Sequence, residues 1–328
     1  MRFLVILVAF VSVVFFGQHK CEPFYPKATI AFFFGQEYYT EYFAIQDFED
    51  VILHPAFDFN KSTVLYIHGF RESVLADSVQ MVVSAYLSRN DHNIFALDWS
   101  NYSSGSYVAH AVPSVIGLGN RIGYSLNLWI EHGIIDEKRL HIVGHSLGGQ
   151  MSGYIGKMVN LLSRGSRKVK RITALDPAKP LFYINRTAII SYIHKDDAEL
   201  VDIIHTNAGV LGSSISVGNC DFWPNGGTFQ PGCAVNSIIN CDHKRSWMYY
   251  AESVASIEPK FNAIICDDYK SFKNLNCTDN LTSFMGFYAS ENCSGIYYLQ
   301  TNNDYPYSRG VFGMLYSPLV DIDRQNEP

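Results

Sequence analysis

No basic stripe and no run of five like charges occurs in the 328 residues, and the formal net charge is −6. A chain that neutralises phosphates needs clustered Lys and Arg, so nucleic acid is not expected as a partner. No internal repeat, low-complexity segment or linker interrupts the sequence, which excludes a repeat array and leaves no boundary for a second domain. After residue 16 no apolar run is long enough to cross a bilayer. Cysteine is absent between Cys21 and Cys220. What is there is ample core material. Hydrophobic residues make up 48% of the chain and aromatic residues 14%. Residues 21–328 are therefore expected to form one domain.

The first residues differ from the rest. Met1-Arg2 precedes an unbroken apolar run from Phe3 to Phe16, followed by Gln18-His19-Lys20. One positive charge and a run shorter than the ~20 residues of a membrane span read as a secretory signal peptide over residues 1–17. Gly17 is a suitable small residue for cleavage, but Phe15 is not, so cleavage is placed only between residues 17 and 20. The expected location is extracellular. Six cysteines after residue 219 agree, since an oxidising compartment would let them staple the C-terminal third. Cys233, Cys241 and His243 are close enough in sequence for a zinc site. Behind a secretory leader disulfides are the better reading, and no metal or cofactor is expected. Asn60, Asn101, Asn185, Asn276, Asn280 and Asn292 head glycosylation sequons.

The most informative stretch is Ile142-Val143-Gly144-His145-Ser146-Leu147-Gly148-Gly149-Gln150. Leu140 to Val143 reads as a buried strand, and Gln150 to Ile155 opens a helix. Leu147, Met151, Tyr154, Ile155, Met158, Val159 and Leu162 recur three or four apart and should share its buried face. Strand, G-x-S-x-G and helix together form the setting of a nucleophile elbow, where flanking glycines avoid collisions in a strained turn. Other strand-like runs are Thr63–Ile67, Asn93–Leu97, Arg171–Leu175 and Leu200–Ile204, and Val115 to Ile130 reads as a helix ending near Gly133. Strands alternating with helices imply a mainly parallel sheet covered on both faces. Reactive groups gather at the carboxyl ends of such strands, here at Phe70, Ser146 and Asp176.

A serine hydroxyl needs a base, and the base needs an orienting acid. In this fold class the chain order is nucleophile, acid, histidine. Asp176 ends an apolar strand before Pro177, though an Asp-Pro pair is also an ordinary turn. The base could be His194, His205 or His243. His194 stands in a charged loop, and His205 ends an apolar strand as a core histidine could. His243 follows Cys241 in what reads as a loop before the helix Arg245–Tyr250. It leads without being decisive.

Five segments appear in a telling order: His68-Gly69-Phe70, Gly144-His145-Ser146-Leu147-Gly148, Leu175-Asp176-Pro177-Ala178-Lys179-Pro180, Asp221-Phe222-Trp223-Pro224-Asn225-Gly226-Gly227, and Cys241-Asp242-His243-Lys244-Arg245-Ser246. Together they resemble the pancreatic-type lipase family of α/β-hydrolases, from about residue 60 to 250. Met285-Gly286 and Tyr297–Asn302 carry the resemblance nearly to the end. It implies Ser146 as nucleophile, Asp176 as acid, His243 as base, and an oxyanion hole from the backbone N–H groups of Phe70 and Leu147. Lys179 departs from the family's usual glycine. The C-terminal β-sandwich of the pancreatic enzymes is not expected, nor is colipase partnership.

The resemblance also carries the disulfide expectations. Cys233–Cys241 and Cys266–Cys277 match family positions and close short loops. Cys220–Cys293 is assigned because those two remain, and Cys21 is left over. The loop matching the family's lid is Ala234, Val235, Asn236, Ser237, Ile238, Ile239 and Asn240, short beside the triglyceride lipases. The loop between His205 and Asp221 also looks short. This resembles short-lid phospholipases A1. The expected activity is hydrolysis of lipid carboxylic esters with sn-1 phospholipid preference, at a membrane or micelle surface. A triglyceride or galactolipid lipase with a short lid is the alternative. A non-catalytic lipid-binding or storage protein of the same fold is another, and retention of Ser146, Asp176 and His243 weighs against it.

Overall fold

The structure, a computed structural model, describes residues 25–35, 38–183, 190–234, 241–277 and 281–322. The leader at 1–17, Cys21, the sequons at Asn185 and Asn280, and residues 235–240 of the short loop lie outside them. Eleven strands among the described residues join in one sheet. They are β1 (Thr29–Phe34), β2 (Tyr39–Ala44), β3 (Ser62–Ile67), β4 (His92–Asp98), β5 (Leu140–His145), β6 (Val169–Leu175), β7 (Ala198–Ile204), β8 (Cys220–Pro224), β9 (Asn262–Ile265), β10 (Thr282–Phe284) and β11 (Gly295–Leu299). Across the sheet the order is β10-β9-β11-β8-β7-β6-β5-β3-β4-β1-β2. From β4 to β11 every neighbouring pair is parallel. The pairs at both margins are antiparallel.

The parallel strands alternate apolar residues toward two cores, as strands buried on both faces must. Leu65, Ile67, Ile142 and Ile172 pack with α3 (Val112–Glu131) and α4 (Leu147–Leu162). Val64, Tyr66, Val143 and Ile204 pack with α1 (Asp77–Arg89) and α5 (Cys241–Ala255) on the opposite face. A further short helix, α2 (Ser100–Ser103), follows β4. The register pairs Ile67 with Gly144, His145 with Leu175, and Leu175 with Ile204. His68, Ser146, Asp176 and His205 therefore leave the sheet side by side along its carboxyl edge.

Three local expectations change. The elbow helix starts at Leu147, three residues before Gln150, because the turn at Ser146 feeds directly into helical hydrogen bonds. On its apolar face Leu162 is 37% exposed, since the helix ends there, beyond the sheet. His243 lies in the first turn of α5 rather than in a loop before it. The apolar spacing of that helix extends back from Trp247 and Tyr250 through His243, and Asp242 in the first turn suits the positive end of the helix dipole.

Disulfides join Cys220 to Cys293, Cys233 to Cys241 and Cys266 to Cys277. The first ties β8 to the entrance of its parallel neighbour β11, where Cys220 pairs with Gly295. In the second, the two thiols of the zinc reading are bonded to each other.

Candidate active site

The elbow is built by close approach. A Cβ on Gly144 would meet Gly148 O at 2.2 Å, and one on Gly148 would meet Ile67 O at 2.1 Å. Any side chain at either position would push helix and strand apart. The turn so enforced holds Ser146 at φ 55°, ψ −116°, a region that non-glycine residues enter only when the surroundings compel it. Its N–H donates to Leu175 O at 3.0 Å, and its carbonyl accepts from Gly149 at 3.1 Å and Ala178 at 3.1 Å. The Leu147 N–H, first of the helix, is bonded to no acceptor among the described residues.

Asp176 also adopts a positive φ, 45°, and is fully buried. Its Oδ1 accepts the Thr206 N–H at 2.9 Å and the Asn207 N–H at 3.1 Å. Its Oδ2 meets His243 Nδ1 at 2.5 Å. A Cβ on Gly212 would lie 2.2 Å from Oδ1, so the loop after β7 closes on the carboxylate without room for a side chain. Lys179 does not obstruct this. Its N–H donates to Leu211 O at 2.7 Å and its Nζ to Gly209 O at 2.9 Å, which ties the acid's turn to the same loop.

With Nδ1 donating to Asp176, His243 Nε2 carries the lone pair. Burial pushes the imidazole below its usual value, against the Asp176 hydrogen bond, which raises it. Ser146 and His243 line one cleft of about 880 Å³, together with Phe70, Tyr107, Pro180, Leu211 and Trp247. The three side chains singled out in sequence thus converge, although they come from the ends of β5 and β6 and the start of α5.

The other two histidines do not reach this cleft. His194 caps a short turn, accepting the Asp196 N–H at 3.4 Å. His205 is fully buried, with Nδ1 at 3.0 Å from Ser213 O, Nε2 at 2.8 Å from Asp221, and its ring stacked 3.9 Å from Trp223. Sequence reasoning missed Thr206, Asn207 and Gly212, which cradle the acid, and Glu72, which lines the cleft. The backbone donors carry no side-chain signature, so only the acid's need for partners could have pointed to them.

Comparison with known proteins adds the family. The family described as Lipase matches residues 19–307. The chain belongs to the pancreatic-type lipase family. Its mainly parallel sheet, covered by helices on both faces, is the α/β-hydrolase fold that membership implies. Lipase member H-A of Xenopus laevis is 33% identical over 227 residues, covering 67% of this chain and 47% of that protein. Phospholipase A1 member A of Rattus norvegicus is 35% identical over 236 residues, 70% of this chain and 49% of that one. Lipoprotein lipase of Mus musculus is 29% identical over 286 residues, 79% and 58%. This lipase-family chain thus spans about half the length of the relatives it matches.

Proposed function

We propose that the protein is a secreted serine hydrolase of lipid carboxylic esters, with phospholipase A1-like preference for the sn-1 ester. The observation that carries the reading is the 2.5 Å His243–Asp176 contact beside a serine held at positive φ on the same cleft. In this mechanism His243 Nε2 takes the Ser146 hydroxyl proton as Oγ attacks the ester carbonyl. The N–H groups of Phe70 and Leu147 meet the charge that develops on the carbonyl oxygen. Collapse breaks the bond to the glycerol oxygen, which leaves with the proton from His243. Water, deprotonated by His243, then attacks the acyl-enzyme, releases the fatty acid and restores the serine. Asp176 holds the ring in the tautomer this requires and stabilises its protonated form.

A lipid substrate is supported by the apolar rim of the cleft. Leu75 on its wall is exposed, as are Val108 and Val210 beside the cleft-lining Tyr107 and Leu211. The phospholipase preference rests on the short lid. Cys233 and Cys241 are bonded with Cα atoms 5.6 Å apart. Seven residues tied at both ends reach at most ~13 Å from their anchors, and so few residues carry little apolar surface to unmask at an oil interface. A site without a long lid stays open to water and to a polar headgroup. The name of the rat relative, phospholipase A1 member A, agrees; that of the mouse relative, lipoprotein lipase, favours the lipase alternative. Secretion rests on the leader-like residues 1–17 and the three disulfides.

Mixed micelles of phosphatidylcholine, with a trioleoylglycerol emulsion alongside, decide the substrate. Release of the sn-1 fatty acid and weak triglyceride turnover are expected. A rate jump at the triglyceride solubility limit, with no sn-1 release from phosphatidylcholine, would overturn the preference.

A further inference from the structure

The loop after β3 leaves the Phe70 N–H to spare. Gly69 N–H donates to Glu72 Oε2 at 2.7 Å. Arg71 N–H donates to Ser103 O at 3.1 Å, and Glu72 N–H returns to Gly69 O at 3.4 Å. His68 Nδ1 donates to the same Gly69 O at 3.0 Å, and His68 Nε2 accepts the Trp99 N–H at 3.4 Å. The Phe70 N–H has no partner among the described residues. In a trans peptide the C=O and N–H point opposite ways, so fixing Gly69 O aims the Phe70 N–H.

The Glu72 side chain holds the preceding peptide, through the Gly69 N–H, so both peptides flanking Gly69 are tied. One carboxylate oxygen holds three elements at once: Gly69 after β3, Ser78 Oγ on α1 at 3.1 Å, and His145 Nδ1 at the end of β5 at 3.5 Å. Burial would raise its pKa, but the hydrogen bond and charge of His145 and the Gly69 N–H prevail and hold it at about 2. The carboxylate is therefore ionised at any working pH, and its bond to Gly69 N–H is charge-assisted. The groups that face it are His68 and Tyr66 from β3 and its loop, His145 from β5 and, past His145, His243 from α5. The two N–H groups of the proposed oxyanion hole belong to different strand ends, Phe70 after β3 and Leu147 after β5. Glu72 bridges those ends.

We propose that Glu72 is a positioning residue: its carboxylate clamps the Gly69–Phe70 segment against His145 and so sets the Phe70 N–H for the transition state. This rests on the oxyanion-hole reading above. A clamp of this kind acts on the developing oxyanion rather than on the bound ester, so its loss appears in kcat and leaves KM in place.

The test is steady-state hydrolysis of a soluble short-chain ester by the full chain carrying Glu72→Ala, Glu72→Gln or Ser146→Ala, with thermal unfolding to confirm the fold. Glu72→Ala should lose roughly 10- to 100-fold in kcat with KM within about twofold. Glu72→Gln should lose less than about fivefold, because its amide oxygen still accepts the Gly69 N–H. If Glu72→Ala does not fold, Glu72→Asp takes its place; one methylene short of Gly69, it should show the same loss in kcat alone. Wild-type kcat in a folded Ala or Asp variant overturns the inference. So does a loss carried by KM, or a Gln variant as slow as Ala. The Ser146→Ala arm separates the two levels. If it retains turnover, the oxyanion reading falls as well; if it is inactive and Glu72→Ala is not impaired, only this inference falls.

Discussion

Among the described residues two buried aspartate–histidine contacts under 3 Å lie on the carboxyl side of this sheet, and their difference separates the proposed base from a core histidine. Asp176 meets His243 at 2.5 Å, and Asp221 meets His205 at 2.8 Å. Both pairs are buried, and each has its own disulfide: Cys241 lies two residues before His243, and Cys220 immediately precedes Asp221. The His205 ring is spent. One nitrogen faces Ser213 O, the other Asp221, and Trp223 covers its plane. His243 uses one nitrogen on its acid and lines a cleft that also holds Ser146. A buried acid–histidine contact is thus not in itself a catalytic signature. The pair must keep one nitrogen with an open lone pair beside a nucleophile.

The largest effect that would break this comparison is in turnover. His243→Ala should lower kcat on a soluble ester at least ~10³-fold with little change in melting temperature, because the members of a triad act as a unit. His205→Ala should do the reverse. It leaves Asp221 buried without its ring partner, which costs about 3 kcal/mol in denaturant unfolding, while the folded fraction stays within about tenfold of wild-type turnover. If His205→Ala were the inactive one, the assignment of the two pairs would be reversed.

The disulfides sharpen the same contrast. Removing Cys220–Cys293, with a sequence separation of 73, should cost about 4 kcal/mol of stability on loop-closure grounds. Removing Cys233–Cys241, separation 8, should cost only about 2–3 kcal/mol. The smaller loop should nevertheless cost more turnover, because it anchors the turn that carries His243. Paired alanine variants, read by urea unfolding and by kcat, check both halves.

The smallest effect is in pH. A protonated His243 cannot take the serine proton, so rate falls as pH drops through its pKa. Burial holds that pKa below the usual 6.5, which puts the midpoint of the acid limb under pH 6.5. The Asp176 contact raises it, so Asp176→Asn should move the residual activity's midpoint lower still. A pH–rate profile of kcat/KM reads both, and a midpoint above 7 would contradict the burial argument.

Legibility in the sequence followed the range of the interactions. The elbow was legible because strand, glycines, Ser146 and helix are contiguous, and the parallel core strands because their apolar runs are local. Asp176 was half legible, since an Asp-Pro turn and an acid that orients a histidine look alike in sequence, and Thr206 and Asn207, which hold the carboxylate, are 30 and 31 positions away. The three histidines could not be ranked from their own surroundings. His205 is decided by Asp221 and Trp223 on the next strand, and His243 by Asp176, 67 positions away. Only the family resemblance supplied that pairing in advance. Glu72 was illegible, because two of its three partners come from α1 and β5. The antiparallel margins, β1–β2 and β9–β10, went unread because they carry no motif.

The most direct measurement of the central claim is covalent labelling of the intact protein by a fluorophosphonate ester, which reacts only with an activated serine. Peptide mapping of the wild type should place a single adduct on Ser146, at a rate unchanged in folded His205→Ala and lowered at least ~10³-fold in His243→Ala. An adduct on another serine, or labelling of His243→Ala at the wild-type rate, would contradict the account.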